Sequence, residues 1–232
     1  MTIKVLCKRP KIMYNFHIQV KEVLVMTSEE KNYLFDQGLA LADILEKECV
    51  ELLGMMENID DRVNISRVIA KYEADGDDVF HAASEQLQKI ELDPDTRLRI
   101  FQMLRHIEDV IDMVDELSKT IVRYNMRTVT NGFKASVNSI NGAVRKLIVL
   151  INAMREYEPE MKEHFTRTVN AFDAFKVDYE KMYDVLIFEL FSKPHDVVDI
   201  IRCKAVYDAI RDIFEAFEVT ADDAYKFIVS RG

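Results

Sequence analysis

An all-α fold follows from three features of the chain. Glycine and proline are scarce, at six and four in 232 residues, so few positions interrupt regular backbone. Apolar residues recur at three- and four-residue spacing from about residue 28 onward, which is the mark of amphipathic helices. Strand-like runs are nearly missing, and only Ile12 to Val25 is rich enough in apolar and β-branched residues to be ambiguous. Together these predict six long helices, arranged as two pseudo-repeated three-helix bundles joined by short turns.

The first helix is predicted over 29–56, with Ser28 as N-cap and Leu34, Leu41, Leu45, Leu52 and Met56 on one stripe. Asn58 to Asp61 form a break, and a second helix covers 60–89 with Val63, Ile69, Val79, Phe80 and Leu87. Asp93-Pro94 supplies an N-cap and first helical residue. The third helix runs from there to about Met126 through Leu98, Phe101, Leu104, Ile107, Ile111, Val114 and Leu117. The fourth spans 129–156 with Phe133, Ile140, Leu147 and Leu150 inward. Glu158-Pro159 opens a fifth that ends near Phe191, Pro194 breaks the chain, and a sixth continues to about Val229. The expected organisation is a basic extension over 1–27, a first bundle over 28–127 and a second over 128–232.

Composition narrows the function. Hydrophobic residues make up 49% and charged residues 31%, the balance of an ordinary globular protein. A net charge of −10 argues against binding of nucleic acid or anionic lipid by the body of the protein. Residues 1–27 run against that balance at net +4, leaving −14 for the rest. That basic start reads as a contact for a membrane surface or acidic partner, as a poorly ordered leader, or as a start-site artefact. Met26 precedes Thr27-Ser28-Glu29-Glu30, a good helix start. Cys7, Cys49 and Cys203 are far apart and form no CxxC pair, which fits a reducing compartment. No apolar run reaches the ~18 residues of a membrane span, and no signal peptide is read. A cytoplasmic protein is expected, one that is possible to find peripherally at the inner face of the plasma membrane.

An internal repeat underlies the helix plan. A shift of 103 places Tyr72 on Phe175, Asp77 on Glu180, Val79 on Met182 and Leu87 on Leu190. The same shift places Ile107 on Ile210, Asp109 on Asp212, Val110 on Ile213, Asp112 on Glu215 and Asp115 on Glu218.

Two acidic motifs stand out, Glu73-Ala-Asp-Gly-Asp77 and Glu108-Asp-Val-Ile-Asp112. Each sets two carboxylates four residues apart, one above the other on a helix face. Two such helices side by side gather four carboxylates, which a hard cation with oxygen preference would compensate. The repeat sets Lys176, Glu180, Arg211 and Glu215 against Glu73, Asp77, Glu108 and Asp112. A set of two cations and two acids neutralises itself, so a metal is expected in the first unit only. The competing reading of the four acids is a solvated helix face. Gly76 inside the first motif has a helical cost of ~1 kcal/mol relative to Ala, consistent with close helix approach, ligand access or neutral variation.

The run Tyr72-Glu73-Ala74-Asp75-Gly76-Asp77, then Asp93-Pro94, then Glu108-Asp-Val-Ile-Asp112 resembles the PhoU-like phosphate-uptake regulators. It is most similar to the subgroup associated with Pit-type phosphate transporters. The resemblance covers roughly 29–230, including Phe188-Glu-Leu-Phe191. It implies six helices in two three-helix bundles, with metal held by E/D-x-x-x-D motifs. The implied ligands are Glu73, Asp77, Glu108 and Asp112, with Lys176, Glu180, Arg211 and Glu215 as a degenerate second site. It implies iron or zinc at these motifs, with magnesium added by the oxygen-only ligand set, a membrane phosphate transporter as partner, and regulation rather than catalysis.

His81 lies one turn beyond Asp77 and is either a further ligand, an orienting group or a surface histidine. Asp78-Val-Phe-His81 is similar to one half of a di-iron motif, but no second Glu/Asp-x-x-His lies on a matching helix. His17, His106, His164 and His195 stand apart, and neither GxxxxGK[ST] nor GxGxxG occurs. Phe172, Phe175, Met182, Tyr183, Phe188 and Phe191, with Phe214 and Phe217, are expected mostly in the core, or else as a partner-binding surface. The expected function is a cytosolic accessory of inorganic-phosphate transport, with homo-oligomers open. The alternatives are a metal-dependent helical-bundle enzyme (oxidase or phosphohydrolase) and a metal-free interaction module.

Overall fold

A computed structural model of the chain describes residues 27–192 and 196–229. It consists of six long helices: α1 (Ser28–Glu57), α2 (Arg62–Lys89), α3 (Pro94–Arg123), α4 (Asn131–Arg155), α5 (Lys162–Ser192) and α6 (Val197–Val229). Single 3₁₀ turns at Ile59–Asp61 and Pro159–Met161 lead into α2 and α5. No strand occurs among the described residues. The basic extension and the ambiguous Ile12 to Val25 lie outside them, apart from Thr27.

Local chemistry fixes the helix ends. Thr27 and Glu30 form a capping box, with the Glu30 carboxylate accepting from the Thr27 N–H at 2.8 Å. The Asp93 carboxylate accepts from the N–H groups of Asp95 and Thr96 ahead of Pro94. α3 stops at Asn125, whose φ of 52° is left-handed. There Asn125 N–H donates to Val122 O and Met126 N–H to Ile121 O, satisfying the last carbonyls. Thr130 then caps α4 by accepting from Phe133 N–H.

α1, α2 and α3 pack on one another, and α5 and α6 pack together with α4. The two trios meet where α1 lies on α4 and α3 on α6. One apolar core runs through both, from Leu34 to Phe227. In the second trio Tyr179 stacks on Phe214 at 4.0 Å, with Phe175 and Phe217 around it. The aromatic stripe departs from expectation at its end, because Phe188 and Phe191 are exposed, Phe188 by 72%. Val63, Leu98 and Phe101 also lie outward rather than in the core. Phe101 still packs its ring on Phe80 of α2, 5.5 Å between centroids, at the margin of the core. Among the described residues no helix is long and apolar enough to cross a membrane.

Candidate metal centre

α2 and α3 run antiparallel, and their register is set by the buried pair Ser66 Oγ and Ser118 Oγ, 2.9 Å apart. Two turns along α2 from Ser66, Glu73 therefore faces the Asp112–Asp115 stretch, and Asp77 faces Glu108. Gly76 lets the helices approach. A Cβ there would stand 3.2 Å from Ile111 Cδ1 and 3.8 Å from Ile44 Cγ2, so α2 rests closely on both α3 and α1.

The predicted residues do not gather equally. One carboxylate oxygen from each of Glu108, Asp109 and Asp112 lies within 4.8 Å of the others. Burial, Asp112 and a hydrogen bond shared with Asp77 push the Glu108 carboxyl up to about 7. Burial and then Asp77 raise Asp112. Glu73 is raised by burial and then by Asp115, so it belongs to the inner end of the cluster. His81 stays outside it, exposed, with Nδ1 donating to the Asp77 carbonyl oxygen at 2.7 Å. Arg105 is the nearby cation. Its Nε sits 2.9 Å from Asp109, and its Nη1 is 3.2 Å from Glu108 Oε2 without forming a hydrogen bond.

Three participants were absent from the sequence-based set. Asp109 completes the tight trio, and its signal was its place beside the second motif. Asp115 is buried, with Oδ2 bonded to Lys119 and Oδ1 unpartnered. Glu48, from α1, is 0% exposed, and neither of its oxygens has a partner. Burial, then Asp115, Glu73 and Asp112, push its carboxyl up to about 10. Its signal was legible, since it sits between Leu45 and Leu52 on the apolar stripe of the first helix. All three buried carboxylates among the described residues lie in this trio of helices. Four of their oxygens lack a hydrogen bond: both of Glu48, one of Glu108 and one of Asp115. Bare buried carboxylate oxygens are costly, and their lone pairs suit a hard cation.

The matching positions in the second trio are already neutral. Lys176 bonds Glu218 and lies 3.8 Å from Glu180. Arg211 lies 3.3 Å from Asp212 and 3.7 Å from Glu215.

The raised carboxyls have a stability consequence. In the unfolded chain a glutamic acid titrates near 4.3. Glu108 and Glu48 titrate higher when folded, so the folded state holds more protons above that value. Their contribution is full below about pH 4, shrinks as pH rises through 7, and continues to shrink toward 10. Thermal melts of the protein in chelator are expected to show a melting temperature lower by about 5–10 °C at pH 8.5 than at pH 6. A flat or rising profile would mean these carboxyls are solvated.

No protein-family model matches the chain. The UPF0111 protein YkaA of Bacillus subtilis (strain 168) is 20% identical over 167 residues, spanning 69% of this chain and 77% of that protein. The crystal structure of PhoU from Pseudomonas aeruginosa matches with a TM-score of 0.62 at 12% identity, covering 88% of this chain and 100% of that one. The chain thus has a PhoU-like fold.

Proposed function

We propose that this PhoU-like helical protein is a metal-binding regulator of inorganic-phosphate transport, acting on the cytoplasmic side of a membrane transporter of the Pit type. The observation that supports it is the Glu108–Asp109–Asp112 group, whose carboxylate oxygens lie within 4.8 Å of one another, in the same helix trio that buries Glu48 and Asp115 with oxygens that lack a hydrogen bond. Asp77, Glu108, Asp109 and Asp112 would hold an iron, zinc or magnesium ion, with Glu73 at the inner edge. A bound cation offsets the repulsion among these acids, stiffens the α2–α3 pair, and leaves residual positive charge that attracts phosphate. The degenerate set Lys176, Glu180, Arg211 and Glu215 takes no ion on this reading, because its charges pair internally.

Regulation is favoured over catalysis by the likeness of the fold to PhoU. An enzyme reading predicts redox or hydrolytic turnover abolished by Glu73→Gln. An interaction module without metal predicts unchanged melting in chelator. The test is a melt with and without metal. At an ion concentration about 100-fold above Kd, stabilisation is about 2.7 kcal/mol, or a rise of about 5–10 °C. Glu108→Gln is expected to remove that rise while keeping the helical spectrum. Co-purification with a phosphate permease from the source membrane tests the partner.

A further inference from the structure

The end of α5 and the start of α6 are more apolar than the fold requires. From Val185 to Phe191 every residue but Glu189 is apolar. A helix that is apolar on every side belongs in an interior, yet of these residues only Leu190 is buried. Leu186 packs on Gly132 at the start of α4, and the opposite side of α5 carries Val185, Phe188 and Phe191. α6 adds Val197, Val198 and Ile201. All six are more than half exposed, Phe188 by 72%.

The pairing of the two helices joins these residues into one surface. Tyr183 donates to Asp208 and Lys176 pairs with Glu218, which sets Phe191 level with Ile201. Two phenylalanines and four aliphatic side chains at this exposure leave on the order of 600 Å² of apolar surface in water. That is the upper end of what the largest patch on a monomer reaches. Two copies joined there would bury roughly 1,200 Å² from these side chains alone, enough for a standard interface.

We propose that this outer face of the α5–α6 hairpin is the contact between two copies of the chain. Two-fold association lays one hairpin on the other as a four-helix arrangement, each outer face meeting its twin. Phe188 and Phe191 are the anchors, as buried aromatic side chains are in most interfaces. Lipid fits the face less well. Asp184, Glu189, Asp196 and Asp199 stand on the same turns, while Arg202 and Lys204 are engaged by Asp199 and Asp208, so anionic headgroups are repelled. The contact is independent of the metal and transporter readings given above. Salt gives it a signature. Each copy carries a net charge of −10, so apolar association tightens as salt screens the repulsion, whereas an ion-paired contact loosens.

The experiment is sedimentation equilibrium of the full chain over about 1–100 μM, in chelator so that the metal site plays no part. Wild type is expected to sediment at twice the chain mass of 27.0 kDa, more completely at high salt. Phe188→Glu and Ile201→Glu, one on each helix, are each expected to weaken the dimer about 30-fold or more. Both side chains are exposed, so circular dichroism should confirm that the helices are kept. Val149→Glu alters a similarly exposed valine on α4 and is expected to leave the dimer intact. A wild type that is monomeric throughout overturns the contact, as does a dimer that both hairpin variants leave unchanged. Monomeric wild type that binds phosphatidylcholine vesicles, with binding lost in Phe188→Glu, assigns the face to lipid and overturns it too.

Discussion

Glu48→Met is expected to make the metal-free protein more stable, by about 1–4 kcal/mol. The reasoning starts from burial. Glu48 is fully enclosed by α1, α2 and α3, with both oxygens unpartnered. It survives without a cation by holding its proton, but a neutral carboxyl with no hydrogen bond still loses its hydration without return. Methionine has similar length, flexible rotamers and no such requirement. A gain of this size raises the melting temperature by roughly 5–10 °C for a chain of this length. Melts of both proteins in chelator check this. A Met variant that melts below wild type in chelator would show that the carboxyl is favourably paired in solution.

Phe214→Ala is expected to cost about 3–5 kcal/mol and to lower the melting temperature by roughly 10 °C. Phe214 is buried at the centre of the second trio. Tyr179 stacks on it at 4.0 Å, Phe175 stands 5.9 Å away and Phe217 6.3 Å. Truncation removes both transfer energy and several aromatic contacts, and rings held by separate helices cannot collapse fully into the gap. Denaturant titration gives the number. A cost under about 1 kcal/mol would mean that the rings are loosely packed. Ion binding in the first trio is expected to persist below the melt.

The helices were legible in the sequence because their caps and stripes are local. Asp93 caps the third helix as the pattern requires, whereas Thr27 and not the expected Ser28 caps the first, and scarce glycine and proline leave little else. The spacing of Glu73 with Asp77 and of Glu108 with Asp112 was legible for the same reason. What pattern could not rank was how far each acid reaches across to the next helix. The Ser66–Ser118 register turns Glu73 inward toward Asp115, and Glu108 gathers with Asp109 instead. Glu48 belongs to a third helix, and only packing brings it there. Phe188 and Phe191 are exposed because apolar character and helical spacing alone do not tell which face of a helix the packing covers.

The continuous apolar core from Leu34 to Phe227 gives the molecule a single fate. Neither half owns a separate interior to fall back on, so each borrows rigidity from the other across α1–α4 and α3–α6. An ion held by the first trio, as proposed, would therefore steady helices that never touch it, and its loss would loosen the far end as well.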